Sequence, residues 1–281
     1  MNGQVIIDED IQQIIGTVGI ETFCPLAGAT LLITGPNGLL ASYIVDTVIT
    51  LNRIVFKEPC RILGIVRSPL RSTDRLAHLY NPHSHVSFIQ HEDIIFNTSF
   101  DYVIHAAGRS APAVFVNDPI RTLDLNTLML RGLLLMATLK TKSFAFFSSG
   151  EIYGSPPAAQ IPTAESYCGQ TDPLGPRACY IEGKRSGEAY CMAFYRTEHV
   201  PVKILRPLLV YGPGLDAQTD QRVMAHFLKQ AMPGQPIAMR DEGSALRAYC
   251  YITDAMVMFW RIFFSDHNGE AFNIGNSSEE I

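Results

Sequence analysis

Residues 29–41 read ATLLITGPNGLLA, and the reading of this stretch decides the fold. A short apolar run ends at Thr34, a Gly-Pro-Asn-Gly turn follows, and a helical pattern begins near residue 38. A glycine loop between a strand and a helix lets backbone N–H groups approach a pyrophosphate at the helix N-terminus. Gly35 and Gly38 fill two of the loop's special positions, and Ala41 stands at the third, where small size serves helix packing. The stretch thus places Gly35, Asn37, Gly38 and Leu39 against a dinucleotide.

Outward from this loop the chain keeps alternating. Apolar strands are expected at 61–66 (RILGIV), 86–90 (VSFIQ), 101–107 (DYVIHAA), 143–149 (SFAFFSS) and 202–207 (VKILRP). Helices are expected at 38–51, near 71–80, at 119–140 and at 179–198. Such β-α alternation with apolar strands implies an α/β fold, a Rossmann-like doubly wound parallel sheet with helices on both faces. Residues 1–27 read as a helical extension, 28–206 as the dinucleotide-binding domain, and 207–281 as a smaller substrate-binding part that is cut short, with one helix at 220–231. The Pro- and Gly-rich segment 154–177 is too long for a plain connection and reads as a substrate loop.

The end of the second strand reads IVRS, so Arg67 takes the place where an acid usually holds the adenosine ribose. A guanidinium cannot accept two ribose hydroxyls but can pair with a 2′-phosphate or stack on adenine, which leaves both NAD and NADP open. Asp93, in HEDII, is the expected contact for the adenine amine.

Composition narrows the class. The 281 residues are 47% hydrophobic and 17% charged with a net charge of -5, which suits a large buried core and argues against nucleic acid or an anionic membrane as partner. Six scattered cysteines without C-x-x-C spacing suit reduced thiols in the cytoplasm. No apolar run approaches the roughly 18 residues of a membrane helix. Histidines 78, 83, 85 and 91 read as a solvated loop and not a metal site.

Tyr180 and Lys184 lie four residues apart in CYIEGKRSGEAYC (179–191) and hence on one helix face. An ammonium about 4 Å from a phenol in an effective dielectric of about 20 favours the phenolate by roughly 4 kcal/mol, enough to make tyrosine a usable base near neutrality.

Further motifs occur in order along the chain: HAAG (105–108), DPIRTLDLNT (118–127), SSGEIYG (148–154), LRPLLVYGPG (205–214), RAYCYITDA (247–255) and FNIGN (272–276). With TGPNGLLA and Tyr180-x-x-x-Lys184, they make the chain resemble the extended short-chain dehydrogenase/reductases that act on nucleotide sugars. Within that family the runs DPLGPRACYIEGKR (172–185) and RVMAHFLKQA (222–231) resemble UDP-glucuronate decarboxylases most. The resemblance implies that Ser149 and Tyr180 hold the sugar 4-hydroxyl, that Tyr180 takes its proton, and that Lys184 binds the nicotinamide ribose. It adds Ala106, Ala107 and Gly108 to the dinucleotide contacts, Glu151 to the catalytic group, and Arg185, Arg222 and Arg247 to the substrate contacts. It also implies a homodimer formed through the helices at 119–140 and 179–198.

Two positions depart from the family. Gly150 stands where 4,6-dehydratases carry an aspartate and decarboxylases a serine, which disfavours dehydration. Leu209 stands where an amide commonly meets the substrate. The expectation is a cytoplasmic NAD(P)-dependent enzyme that oxidises C4 of a nucleotide sugar, UDP-glucuronate first, with decarboxylation of the resulting β-keto acid. The alternatives are a 4-epimerase and a catalytically silent dinucleotide-binding scaffold.

Overall fold

In a computed structural model, the described residues are 3–71, 74–79, 85–90, 98–108, 110–138, 140–215, 223–234, 236–239, 242 and 247–276. Seven parallel strands form the main sheet: β1 (Thr30–Thr34), β2 (Arg61–Val66), β3 (Val86–Gln90), β4 (Tyr102–His105), β5 (Ser143–Phe147), β6 (Val202–Pro207) and β9 (Glu270–Ile274). Their order is β3-β2-β1-β4-β5-β6-β9. The chain reverses direction of growth between β1 and β4, the crevice where doubly wound sheets bind ligands. A separate parallel pair joins β7 (Leu209–Tyr211) to β8 (Tyr249–Tyr251).

Alternation within each strand supplies two cores. Leu31 and Ile33 of β1 face one cluster with Ala145 and Phe147 of β5, while Leu32, Phe144 and Phe146 face the other. The first face is covered by α1 (Gly3–Val18), α3 (Leu39–Ile54) and α9 (Ile252–Phe263), with α2 (Ile20–Phe23) contributing Phe23 against Trp260 at 5.2 Å. The N-terminal extension is part of this core, since Ile11, Ile14 and Ile15 of α1 are buried. Its Asp10 carboxylate, also buried, accepts the phenols of Tyr43 on α3 at 2.7 Å and Tyr251 on β8 at 3.1 Å. The second face is covered by α4 (Pro112–Asn117), α5 (Pro119–Asp124), α6 (Leu130–Ala137) and α7 (Ala178–Glu198). The small helix α8 (Val223–Ala231) completes the described elements.

Three readings change. Of the helix expected near 71–80, the described residues form only a 3-10 turn at Ala77–Leu79. The helix expected at 119–140 is not uniform: a π turn, Leu125–Met129, separates α5 from α6. Its cause is at hand, because the His105 ring nitrogen Nε2 lies 2.9 Å from the Leu125 carbonyl and draws that oxygen out of the helical ladder. Third, the chain after residue 207 does not stay apart as a small unit. Its last described strand, β9, returns to pair with β6, and α9 packs on the main sheet, so a cut at 206/207 would divide one core.

Candidate active site

A cleft of about 960 Å³ runs along the C-terminal ends of β1, β2 and β4, from the glycine loop past Ala106, Ala107 and Gly108 to the π turn. Gly35 sits at φ 62°, and a Cβ there would lie 2.8 Å from Ala107 Cα, so only glycine lets the loop close on β4. Thr34 Oγ1 completes the junction by accepting from Ala107 N at 3.0 Å and donating to His105 Nδ1 at 2.7 Å. That ring is fully buried and its pKa is pushed down to about 3 by burial, so it stays neutral and serves as a strut. The bare glycine backbone, opening onto α3, fits a dinucleotide pyrophosphate.

Other cofactor residues fall into place unequally. Leu39 opens α3 and packs its side chain on the core. Asn37 spends its side chain on Leu76 N at 3.2 Å, and its carbonyl accepts from Arg75 Nη1 at 2.8 Å. Arg75 also donates to the Gly214 carbonyl, tying the glycine loop to the turn beyond β7. Arg67 lies exposed on the cleft wall beside Ser68. One acid in that wall, Asp74, is taken by Arg71, whose backbone N–H and guanidinium it accepts at 2.7 and 3.2 Å. Asp93 and Arg222 lie outside the described residues.

The catalytic group forms where β5 and α7 meet. Ser149 follows β5 and its Oγ accepts from Glu151 N at 3.2 Å, capping a short 3-10 turn. Tyr180 and Lys184 occupy consecutive turns of α7, 6% and 4% exposed. Lys184 Nζ donates to the Phe147 carbonyl at 2.5 Å and lies 5.9 Å from the Tyr180 ring centre and 5.0 Å from that of Phe146. A Cβ on Gly108 would stand 3.7 Å from the same nitrogen, so the ammonium is where cleft and catalytic helix join. Burial pushes the Lys184 pKa down to about 7, against the pull of Glu188 one turn on. The cation that was to activate the phenol is thus itself poised near neutrality.

Several residues that shape the site escaped the sequence reading. Phe115 of α4, almost wholly buried, stacks on Tyr180 with ring centres 4.9 Å apart and planes at 12°. The Pro at the start of α4 signals a helix, but nothing local says that its ring meets a tyrosine 65 residues later. Arg206, next to last in β6, forks on Glu188 of α7 at 2.8 and 3.0 Å. Its remaining nitrogen reaches the Tyr153 hydroxyl and the Glu165 carbonyl, both at 2.8 Å. Ser148 Oγ donates to the same glutamate at 2.6 Å. A charge at the end of an apolar strand, and a carboxylate one turn beyond Lys184, were the available signals.

The loop 154–177 is tied down through this network. Tyr153 donates to Asn273 Oδ1 at 2.7 Å, and Asn273 in turn holds the Thr163 carbonyl and the Glu165 carboxylate, each at 2.9 Å. Arg185, expected at the substrate, donates instead to the carbonyls of Ile152 and Cys168 at 3.1 and 2.6 Å. Arg247 is exposed just before β8. At the mouth, Glu151 pairs with Arg177 at 2.5 Å, and that guanidinium lies 5.6 Å from the Phe115 ring centre.

Of the two departures noted in the sequence, Gly150 meets Leu208, and the other, Leu209, is the next residue and opens β7. A Cβ on Gly150 would overlap Leu208 Cδ2, and a Cβ on Gly275 would overlap Leu208 Cδ1. Leu208 fills the space between two glycines, so a larger residue at 150 requires the leucine side chain to move.

Comparison with known proteins agrees in direction. A family model described as the NAD dependent epimerase/dehydratase family matches residues 31–275. UDP-glucuronic acid decarboxylase 2 of Arabidopsis thaliana is 29% identical over 255 residues, covering 90% of this chain and 54% of the relative. The chain therefore spans about half the length of that curated relative. Among solved structures, the UDP-N-acetylglucosamine 4-epimerase of Methanobrevibacter ruminantium superposes with a TM-score of 0.75 at 22% identity, covering 91% of this chain and 78% of that one. The UDP-glucuronic acid 4-epimerase of Bacillus cereus, solved with UDP-glucuronic acid and NAD, gives 0.68 at 23%, covering 90% and 79%. Both show the shared fold.

Proposed function

Since the chain belongs to the NAD dependent epimerase/dehydratase family, we propose that it is an NAD-dependent enzyme that oxidises C4 of a nucleotide-linked sugar, acting on UDP-glucuronate as a decarboxylase. The observation that carries this is the convergence of Ser149, Tyr180 and Lys184 beside the glycine-loop cleft. NAD supplies hydride acceptance and return. Tyr180 takes the proton of the sugar 4-hydroxyl, and Ser149 holds the same oxygen. Lys184 binds the dinucleotide ribose and, when protonated, favours the phenolate. Phe115 fixes the plane of the tyrosine ring. Once C4 is a ketone, the carboxylate at C5 sits β to it and CO₂ leaves with its electrons delocalised toward the 4-oxygen, so the protein mainly orients and screens charge. The electron pair left at C5 takes up a proton in place of the lost carboxylate. Glu151, open to water at the mouth, passes that proton on from solvent, and Arg247 approaches the substrate from the segment before β8.

The test is product analysis after incubation with UDP-glucuronate and NAD. CO₂ and UDP-xylose are expected. Gly150, which stands where decarboxylases carry a serine, leaves a second reading, a 4-epimerase, and UDP-galacturonate as sole product would establish it. Tyr180→Phe is expected to abolish turnover and leave dinucleotide binding nearly intact. A variant indistinguishable from the parent with every nucleotide sugar would instead mark a dinucleotide-binding scaffold.

The assembly we propose is a homodimer. Ile120, Leu128, Leu135 and Leu123 are 74, 65, 47 and 37% exposed along α5, the π turn and α6, an apolar strip that a second copy would cover. Light scattering at micromolar concentration should return twice the chain mass, and the chain mass alone would refute it. No helix among the described residues is long and apolar enough to cross a membrane, and the cytoplasm is the compartment we propose.

A further inference from the structure

Among the described residues, two arginines beside the catalytic group are committed to the fold. Arg206 is forked on Glu188 and Arg185 on two carbonyls of the loop, both in contacts the fold needs. Arg177 differs. It precedes Tyr180 by three residues, and its own carbonyl accepts from Tyr180 N at 3.1 Å, so its position is fixed by the catalytic helix. Its side chain reaches across to Glu151, whose backbone N–H donates to the capping Ser149 Oγ. The guanidinium therefore links the start of the catalytic helix to the turn that follows Ser149. Only one of its terminal nitrogens contacts the carboxylate, and the partners are 45 and 46% exposed. A single-contact pair open to water is held weakly, whereas a planar guanidinium prefers two parallel bonds to one carboxylate.

We propose that Arg177 is the specificity residue for an acidic sugar. In the free enzyme it rests on Glu151. When a sugar carboxylate enters, the guanidinium exchanges Glu151 for the substrate in a two-bond contact, and Glu151 is released beside the sugar. The stacking surface of Phe115 keeps the guanidinium in place during the exchange. A neutral hexose offers nothing to exchange, so it gains nothing from Arg177. This inference rests on the nucleotide-sugar reading of the site.

It makes an unusual demand on the two partners of one ion pair: removing them must have opposite effects. The measurement is calorimetric titration of UDP-glucuronate, UDP-glucose and UDP into NAD-loaded protein carrying Tyr180→Phe to stop turnover. The reference protein should bind the uronate about tenfold more tightly than the glucose form. Arg177→Gln should erase that difference and leave UDP-glucose and UDP unchanged. Glu151→Gln should widen it, because the guanidinium no longer has a competing carboxylate. If Arg177→Gln weakens both sugars alike, the residue only props the mouth and the proposal fails. Loss of uronate affinity in Glu151→Gln would also overturn it. If UDP alone loses affinity in Arg177→Gln, the guanidinium reads the diphosphate and not the sugar. Failure of all three ligands to bind the reference protein would remove the nucleotide-sugar reading, and the proposal with it.

Discussion

Two arginine–glutamate pairs flank the catalytic helix and differ in almost every respect. Glu188 on its sheet-facing side is joined by two bonds to Arg206 of β6, the pair 14 and 10% exposed and enclosed by Ser148, Tyr153 and the Glu165 carbonyl. Arg177 and Glu151 lie at its mouth, nearly half exposed and joined by one. The same chemical pair is thus a permanent joint in one place and a loose latch in the other. The difference is set by water. A buried charge that loses its partner has no solvent to turn to, while an exposed one is rehydrated at once.

The largest expected effect tests this difference directly. Glu188→Ala should strand the Arg206 guanidinium in the interior and cost about 3–5 kcal/mol of stability, whereas Glu151→Ala should cost less than about 1 kcal/mol. Urea unfolding of both variants decides it, and equal losses would remove the distinction.

Next in size is the response of the buried lysine to pH. Lys184 has a pKa near 7 in the fold against 10.5 in its ordinary state. Between those values the unfolded chain binds more protons than the folded one, so stability rises with pH from about 7 upward. Below 7 both states are protonated and the buried charge is a constant burden. The contribution is on the order of 2–4 kcal/mol across the window. Comparing thermal or urea unfolding of parent and Lys184→Met at pH 6.5 to 9.5, without added dinucleotide, should show the parent gaining on the variant as pH rises. Parallel curves would mean that the ammonium is better solvated than its burial implies.

The wedge at Gly150 gives the third effect. Gly150→Ser adds a side chain where Leu208 already stands, and overpacking of this kind costs about 1–3 kcal/mol. Leu208→Ala in the same chain should recover most of that loss. A serine tolerated without the second change would show that Leu208 swings freely.

The smallest effect lies farthest from the buried joint, at the exposed end of the cleft. Arg67→Asp should shift the affinity ratio of NAD to NADP at least about tenfold toward NAD, because an acid accepts ribose hydroxyls and repels a 2′-phosphate. Titration of both dinucleotides by calorimetry measures it, and an unchanged ratio would place the Arg67 guanidinium away from the ribose.

Legibility in the sequence followed the range of the interactions. The glycine loop, the apolar strands and the Tyr180/Lys184 spacing are local patterns, and each took its expected element. What the sequence could not display were contacts between distant segments. The Phe115 ring on Tyr180, the Arg206 fork on Glu188 and the return of β9 to the sheet all join pieces of chain that local periodicity treats separately. The π turn was hidden for the same reason, since it takes a histidine on β4 to distort a helix 20 residues later. Arg185 shows the same limit: its motif position carries no sign of the two loop carbonyls to which its side chain donates.

The leucine lodged between Gly150 and Gly275 also bears on how such a site can change over generations. A lineage that started from this chain would gain a serine or aspartate at 150 most cheaply after Leu208 had been trimmed, because the leucine methyl that fills the place of the new side chain would then be gone. Trimming of Leu208 is a near-silent change that opens the way. Packing thus favours one order of substitutions over the other.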